Sequence, residues 1–180
     1  MQYTEPDNQQ KVWYVMRSLY KTELRTQALL QKAGIRSFIP VKETIVTSGG
    51  RRKRAKVPSV SNLIFVHSTQ KELSPFTGAD SRFQYTFRRG GLSNEPLIVP
   101  ERQMEDFIRV CENAGRPLYF SPGEVNLAKG TRIRIIGGPL NGCEGILLKV
   151  SGARAKRLVV SIQDTLSVAA EVSPDLIEVI

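Results

Sequence analysis

The pattern of apolar residues changes near residue 115, and this change limits the folds that the 180-residue chain can adopt. Before it, extended apolar segments such as residues 11–17 and 62–66 alternate with segments of helical periodicity. After it, five short apolar segments follow one another at a spacing of about ten residues, with turn signals between them. The first pattern is typical of an α+β domain, and the second is typical of a small all-β barrel.

The first part of the chain predicts a sheet covered by helices. Its segments follow the order β-α-β-β-α-β with a final helix, which is the order of the ferredoxin-like unit. Tyr20, Leu24 and Ala28 recur at i, i+4 and i+8, so we expect them to form the packed face of the first helix. Thr69 and Glu72 match a capping box, which predicts the start of a second helix. The last helix has one apolar face, made of Met104, Phe107, Ile108 and Cys111.

These patterns divide the chain into two domains. We expect an α/β domain over residues 1–114 and a β-barrel over residues 125–180. Residues 115–124 (GRPLYFSPGE) contain two prolines and two glycines, a composition typical of a linker. The barrel segments at residues 132–136, 157–162 and 176–180 are rich in Val and Ile, which favour strands over helices.

The charge of the chain indicates a polyanionic partner. The formal net charge is +9, and residues 1–113 carry 18 basic against 11 acidic side chains, whereas the remainder carries 8 against 6. Such an excess of cations is typical of proteins that bind nucleic acid. The densest basic run follows a Thr-Ser-Gly-Gly turn and consists of Arg51, Arg52, Lys53 and Arg54. These four residues are the candidate nucleic-acid contacts, with a merely solvated hairpin tip as the alternative.

The sequence gives no sign of an enzyme, a metal site or a bound cofactor. Cys111, Cys143 and His67 are the only cysteines and histidine, and they form no paired zinc-ligand motif. The phosphate-binding loop, the nucleophile elbow and the H-E-x-x-H motif are all missing from the sequence. No apolar stretch approaches the ~18 residues of a membrane span, and the N-terminus lacks the apolar core of a signal peptide. We therefore expect a soluble, cytoplasmic, non-enzymatic protein without membrane contacts.

One segment of the second part resembles a known motif. Residues 134–147 resemble the KOW motif, a strand followed by a Gly-Pro turn and a glycine before the next strand. The motif residues are Gly138, Pro139, Gly142 and Gly145. Pro139 presets the turn, and Gly145 provides either an unusual φ angle or a close backbone approach. The resemblance implies an SH3-like barrel.

The first part extends the resemblance along nearly the whole chain. Residues 13–15 (WYV), 63–66 (LIFV), 87–91 (FRRGG) with 96–100 (PLIVP), and 120–124 (FSPGE) resemble, in the same order, segments of NusG/RfaH-type transcription elongation factors. Residues 60–63 (VSNL) replace the Phe-Pro-Gly-Tyr of the general factor. The chain most resembles the specialised antiterminators of capsular-polysaccharide operons (UpxY-type).

The resemblance implies a factor that binds RNA polymerase as a monomer and suppresses pausing and termination. Its expected polymerase contacts are an apolar surface and a short second motif, made of Tyr14, Val60, Leu63, Phe65, Phe87, Ser74, Pro75 and Phe76. The basic run would contact the non-template DNA strand or nascent RNA, and the KOW domain would recruit a ribosomal protein or termination factor. Plain core packing is the alternative for the apolar residues, and a helix end is the alternative for residues 74–76. The alternative function is an RNA- or ribosome-associated KOW protein.

One branch of this family, typified by RfaH, stores its KOW domain as a helical hairpin. We predict that this chain does not, because its barrel segments favour strands and Gly137-Gly138-Pro139 would break a helix.

Overall fold

The computed structural model describes residues 10–78, 80–88, 95–163 and 165–180. The chain divides into two compact units, Met1–Glu101 and Arg102–Ile180. The N-terminal residues 1–9 and the glycine-containing segment 89–91 of the family resemblance lie outside the described residues.

The first unit contains a ferredoxin-like sheet. Its strand order is β2-β5-β1-β6, all neighbours are antiparallel, and β7 also pairs with β1. This order confirms the predicted β-α-β-β-α-β architecture. A separate antiparallel pair, β3 and β4, is inserted between the second and third strands of that pattern. The elements are β1 (Val12–Ser18), α1 (Glu23–Lys32), β2 (Arg36–Phe38), β3 (Val41–Ser48), β4 (Arg51–Pro58), β5 (Leu63–Ser68), α2 (Gln70–Leu73), β6 (Phe83–Tyr85) and β7 (Ile98–Val99).

The register of β1 and β5 assigns their residues to two faces of the sheet. Tyr14 lies opposite Val66, and Val15 lies opposite Phe65. Because side chains alternate along a strand, these two pairs occupy opposite faces. The face with Tyr14 and Val66 joins a buried core cluster with Leu30 of α1, Leu73 of α2 and other apolar residues.

The predicted packed face of α1 is wrong. Tyr20 and Leu24 are 74% and 54% exposed, and Ala28 is exposed as well, whereas Glu23 and Leu30 are buried. Tyr20 precedes the helix and has a positive φ angle of 61°, so it does not share the helical periodicity of the residues that follow. Glu23 is buried because one of its carboxylate oxygens accepts a hydrogen bond from the backbone of Asn62. A hydrogen bond between residues that are distant in sequence therefore buries Glu23 and turns Leu24 and Ala28 outward.

The capping box at α2 is confirmed. The Thr69 hydroxyl accepts a hydrogen bond from the Glu72 backbone at 3.1 Å, and the Glu72 carboxylate accepts one from the Thr69 backbone at 3.4 Å. Ser68 also donates to that carboxylate at 2.7 Å. These bonds satisfy backbone donors that a helix start otherwise leaves unpaired.

The second unit contains an antiparallel six-stranded sheet with the order β13-β9-β10-β11-β12-β8. This sheet is the expected SH3-like β-barrel, and its core cluster is built on Leu148, Val150, Val159 and Ala169. Within the segments predicted to favour strands, residues 132–135, 157–162 and 177–179 are strands, in agreement with their Val and Ile content, whereas Leu176 ends a short 3-10 helix, Pro174–Leu176. The elements are α3 (Glu101–Asn113), β8 (Leu118–Phe120), β9 (Thr131–Ile135), β10 (Glu144–Lys149), β11 (Lys156–Ile162), β12 (Leu166–Ala170) and β13 (Ile177–Val179).

Two features at the start of this unit differ from the sequence-based division. The predicted linker contains a strand, because β8 pairs with β12 and sets Tyr119 opposite Val168. The division between the units falls after Glu101, so that nearly all of α3 belongs with the barrel. Gln103 donates to the Ser161 carbonyl at 2.6 Å, and Asp106 accepts from the Glu144 backbone at 3.3 Å. Apolar periodicity cannot reveal such polar contacts.

None of the helices within the described ranges is both long and apolar enough to cross a membrane.

Candidate functional site

The basic run lies on a regular two-stranded hairpin. Strands β3 and β4 pair over their full length, from Val41 opposite Pro58 to Ser48 opposite Arg51. Gly49 and Gly50 connect them with φ angles of 58° and 75°, as a two-residue type I′ turn requires. The sequence predicted this turn correctly, but the basic residues continue from it into the strand.

The hairpin presents cations on both of its faces. Arg52 and Arg54 point to one face and Arg51 and Lys53 to the other, since side chains alternate along a strand. Residues on the same face are separated by about 6.8 Å along the strand, twice the rise per residue. All four side chains are exposed, and within the described ranges none of them forms an ion pair. Their charge is therefore available to phosphate groups.

The residues expected to form one polymerase-binding surface do not lie together. Leu63 and Phe65 share the sheet face of Val15 and are 7% and 0% exposed. Tyr14 occupies the opposite face, where its ring lies 5.3 Å from that of Tyr85 in an edge-on arrangement. Burial raises the pKa of Tyr14 above its usual value. Tyr14 is thus part of the core on the helix-covered side.

The other two members are more accessible. Val60 lies half-buried in the turn before β5, and Phe87 is 46% exposed. Phe87 forms an isolated β-bridge with Pro96, next to the strands that flank β1. Phe87 is therefore the member of the set whose side chain a partner can reach most easily.

The second expected contact motif directly follows α2. The Ser74 backbone donates to the Gln70 carbonyl at 3.0 Å, which ends the helix. Ser74 and Pro75 are exposed, whereas Phe76 is half-buried and packs against the core cluster of the first unit. The motif is thus an exposed turn with an apolar anchor.

The KOW glycines have distinct structural roles. Pro139 follows Gly138 in a tight turn that the Asn141 backbone closes by donating to the Gly138 carbonyl at 3.1 Å. Gly138 and Gly142 have φ angles of 65° and 82°, which favour glycine. Gly145 has no such angle, but a Cβ there would lie 2.5 Å from the Val159 carbonyl oxygen. The sequence left open whether position 145 requires glycine for an unusual φ angle or for a close backbone approach, and the structure shows the close approach.

An ionic network beside the KOW turn was missed in the sequence. Glu144 accepts from Arg102 at 2.7 Å, Arg134 at 2.8 Å and Arg132 at 3.2 Å. The hydrogen bond from Arg134, together with the other two guanidinium groups, holds the pKa of Glu144 below its usual value. Arg134 also reaches Glu178 at 3.2 Å. Only the register of β9 against β10, which sets Glu144 opposite Arg134, reveals this pairing.

The two thiols are unsuited to nucleophilic or metal chemistry. Burial raises the pKa of Cys111 to about 12 and that of Cys143 to about 11, so both are protonated at neutral pH. Among the residues that the structure describes, no group of three or more His, Cys, Asp or Glu side chains could hold a metal ion.

Comparison with known proteins agrees with the sequence motifs of the first unit. Residues 11–108 match the family described as "Transcription termination factor nusG". Among solved structures, the chain is similar to one titled "Domain interaction in Thermotoga maritima NusG", with 18% sequence identity and a TM-score of 0.48. That similarity covers 95% of this chain and 98% of the other. No curated protein matches the chain.

Proposed function

Because the chain belongs to the NusG family of transcription factors, we propose that it binds RNA polymerase through its first unit and suppresses pausing and termination. The observation that carries this proposal is the family match, which extends over more than half of the chain. The match includes the ferredoxin-like sheet, the basic hairpin and the exposed turn after α2. No catalytic step is part of the proposal, since such a factor acts by binding.

We place the polymerase contact on the members of the expected set that are accessible, namely Phe87, which is 46% exposed, and the half-buried Val60. Tyr14, Leu63 and Phe65 are buried and are assigned to the core. The turn at residues 74–76 provides the second contact. Phe87 is the residue to test, because substitution of buried Leu63 or Phe65 would disturb the fold itself.

The test compares Phe87→Ala with the wild-type chain in binding to immobilised core RNA polymerase. Exposed aromatic residues at interface centres often contribute 2 kcal/mol or more, so we expect affinity to fall by about 30-fold. Leu29→Ala is the matched control, because Leu29 is 49% exposed on α1 and lies outside the proposed contact. Equal affinity of the folded Phe87 variant and the wild type would remove Phe87 from the interface.

The basic hairpin is proposed to contact the non-template DNA strand or nascent RNA. Each cation that neutralises a phosphate of a single strand contributes about 0.7 to the slope of log affinity against log salt. Replacing Arg51, Arg52, Lys53 and Arg54 by Gln should therefore lower the slope by up to about 2.8. The control replaces four exposed cations of the barrel, Lys129, Lys149, Arg154 and Lys156. An identical slope in the hairpin variant would mean that the run is only solvated.

The barrel is proposed to recruit a second protein, such as a ribosomal protein or a termination factor, while the chain stays monomeric. A pull-down from cell lysate, followed by partner identification, distinguishes this function from that of a ribosome-associated KOW protein. Recovery of polymerase subunits supports the proposal. Recovery of ribosomes without polymerase contradicts it.

A further inference from the structure

The hairpin that joins β10 to β11 places two lysines directly opposite each other. Lys149 ends β10, Lys156 begins β11, and the two residues are register partners. The Cβ atoms of such partners lie about 5 Å apart, and like charges there destabilise the strand pair. Both lysines are exposed, and within the described ranges neither forms an ion pair. The free barrel therefore retains a repulsion that a bound anion would relieve.

The rest of this hairpin adds positive charge and no negative charge. Residues 145–162 contain four basic residues and no acidic one. Arg157 is the buried member, and its guanidinium is neutralised by the Glu171 carboxylate at 2.5 Å. Arg154 lies in the turn between the strands and is exposed, and it has no ion pair in the part of the chain that the structure describes. The buried cation is thus compensated, whereas the three exposed cations are not.

Half-buried apolar side chains lie beside these cations. Ala153 and Leu127 are half-buried and pack on the core cluster of the barrel. The Ala153 backbone donates to the Val150 carbonyl at 3.2 Å, which closes the turn between the two strands. Leu127 begins a short 3-10 helix, Leu127–Lys129, that contacts β10 and ends on the exposed Lys129. The surface therefore combines cations with aliphatic groups that are still partly accessible.

The composition of this surface favours a protein ligand over a nucleic acid. Residues 121–180 contain no Phe, Trp or Tyr, so the hairpin itself carries no ring on which a base could stack. A phosphate backbone would use the cations but not the aliphatic groups of Leu127 and Ala153. A protein segment with both carboxylates and apolar side chains would use the two together, since interfaces match charge with opposite charge around buried apolar contacts.

We propose that this surface binds an acidic, partly apolar segment of a partner protein. Its contact residues are Lys129, Lys149, Arg154, Lys156 and Leu127. The surface lies at the end of β10 that is opposite the KOW turn, because the turn precedes β10 and the hairpin follows it. The inference rests on the proposed function in that the barrel recruits a second protein, and it specifies the chemistry of that partner. It requires no polymerase, so it succeeds or fails independently of polymerase binding.

The test measures the fluorescence anisotropy of two short labelled peptides with the full-length chain. One peptide has leucines interspersed among glutamates, and the other has glutamine at every glutamate position. The wild type should bind the acidic peptide more tightly by about tenfold or more at low salt, since several exposed ion pairs form at once. Added salt should reduce this difference, because it screens exposed charges.

Lys156→Glu separates a surface kept for a ligand from one that is only solvated. It should lower the affinity for the acidic peptide by about tenfold, because an attraction becomes a repulsion. It should also raise the melting temperature of the barrel by about 2–8 °C, because the pair with Lys149 becomes attractive. Arg52→Glu is the matched control: it makes the same change in charge on the hairpin of the first unit, and its peptide affinity should stay within about twofold of the wild type.

Several results would overturn the proposal. Equal affinity of the wild type for the two peptides would do so, as would equal losses in Lys156→Glu and Arg52→Glu, or a lower melting temperature of Lys156→Glu. Weaker binding of labelled single-stranded or duplex DNA by Lys156→Glu, with Arg52→Glu unaffected, would overturn it in favour of a nucleic acid.

A parallel assay on core polymerase keeps this inference separate from the proposed function. Lys156→Glu should bind polymerase as the wild type does. Failure of the wild type to bind polymerase would contradict the proposed function and leave the peptide result standing. Normal polymerase binding without preference for the acidic peptide would contradict this inference alone.

Discussion

Among the KOW glycines Gly138, Gly142 and Gly145, replacement of Gly145 by Ala should destabilise the barrel the most. The new Cβ would lie 2.5 Å from the Val159 carbonyl oxygen, whereas ordinary contact begins at 3.4 Å, so about 0.9 Å of movement is required. The obstacle is backbone, and Ile146 is paired with Val159 in the adjacent ladder position. Relief therefore requires β10 and β11 to separate locally, which strains their hydrogen bonds.

The size of the effect follows from two opposing terms. Overpacking of this kind costs about 1–3 kcal/mol, and rigid backbone on the opposite strand places the Gly145 clash near the upper end. Replacing glycine by alanine also restricts the unfolded chain, which returns about 0.4–1 kcal/mol. The net loss should be about 2 kcal/mol, or a decrease of about 8–16 °C in the melting temperature of a unit of this size.

Calorimetry of the full-length chain is the suitable assay, because the single tryptophan, Trp13, is in the first unit and does not report on the barrel. Gly115→Ala is the matched control, since a Cβ there meets nothing within 4 Å and no unusual φ is required. Gly115→Ala should stay within about 0.5 kcal/mol of the wild type. An equally small effect of Gly145→Ala would refute the close-approach explanation.

Two further predictions concern side-chain hydrogen bonds. Thr69→Ala removes the α2 capping box and should lower the free energy of unfolding by about 1 kcal/mol in chemical denaturation; no loss would mean that the cap is dispensable. Glu144→Gln should destabilise the chain at neutral pH, because the pKa of Glu144 is lower in the folded chain than its unfolded value of 4.5. The stability that this difference in pKa contributes is fully present above pH 4.5. That stability is lost as pH falls through the lower folded value, so denaturation curves of wild type and variant should converge in acid. A difference in stability between the wild type and Glu144→Gln that persists in acid would show that the Glu144 carboxylate is not the cause of that difference.

Local sequence signals predicted the elements whose structure is determined locally. The Thr69–Glu72 capping box, the glycine turn before the basic run and the Gly138-Pro139 turn all depend on neighbouring residues, and all are present. The strand order of the first unit also followed from the sequence of elements, because few topologies satisfy that order. Tertiary interactions determined the features that were missed.

The errors share a physical cause. Spacing alone placed Tyr20 and Leu24 in the core, but the left-handed turn and the burial of Glu23 expose them. Proline and glycine content indicated a linker at residues 115–124, but it did not show that β8 within this segment pairs with β12. The sheet face of Tyr14 depends on register with β5, which the sequence does not specify. Long-range pairing decides each of these points.

The most direct test of the central proposal is a single-round transcription assay with purified polymerase on a template that contains a pause site and a terminator. The proposed function predicts that the wild-type chain shortens the pause and increases read-through of the terminator. Phe87→Ala should shift both effects to higher protein concentration, whereas Leu29→Ala should behave as the wild type. Unchanged pausing and termination at saturating wild-type protein, or increased termination, would contradict the proposal.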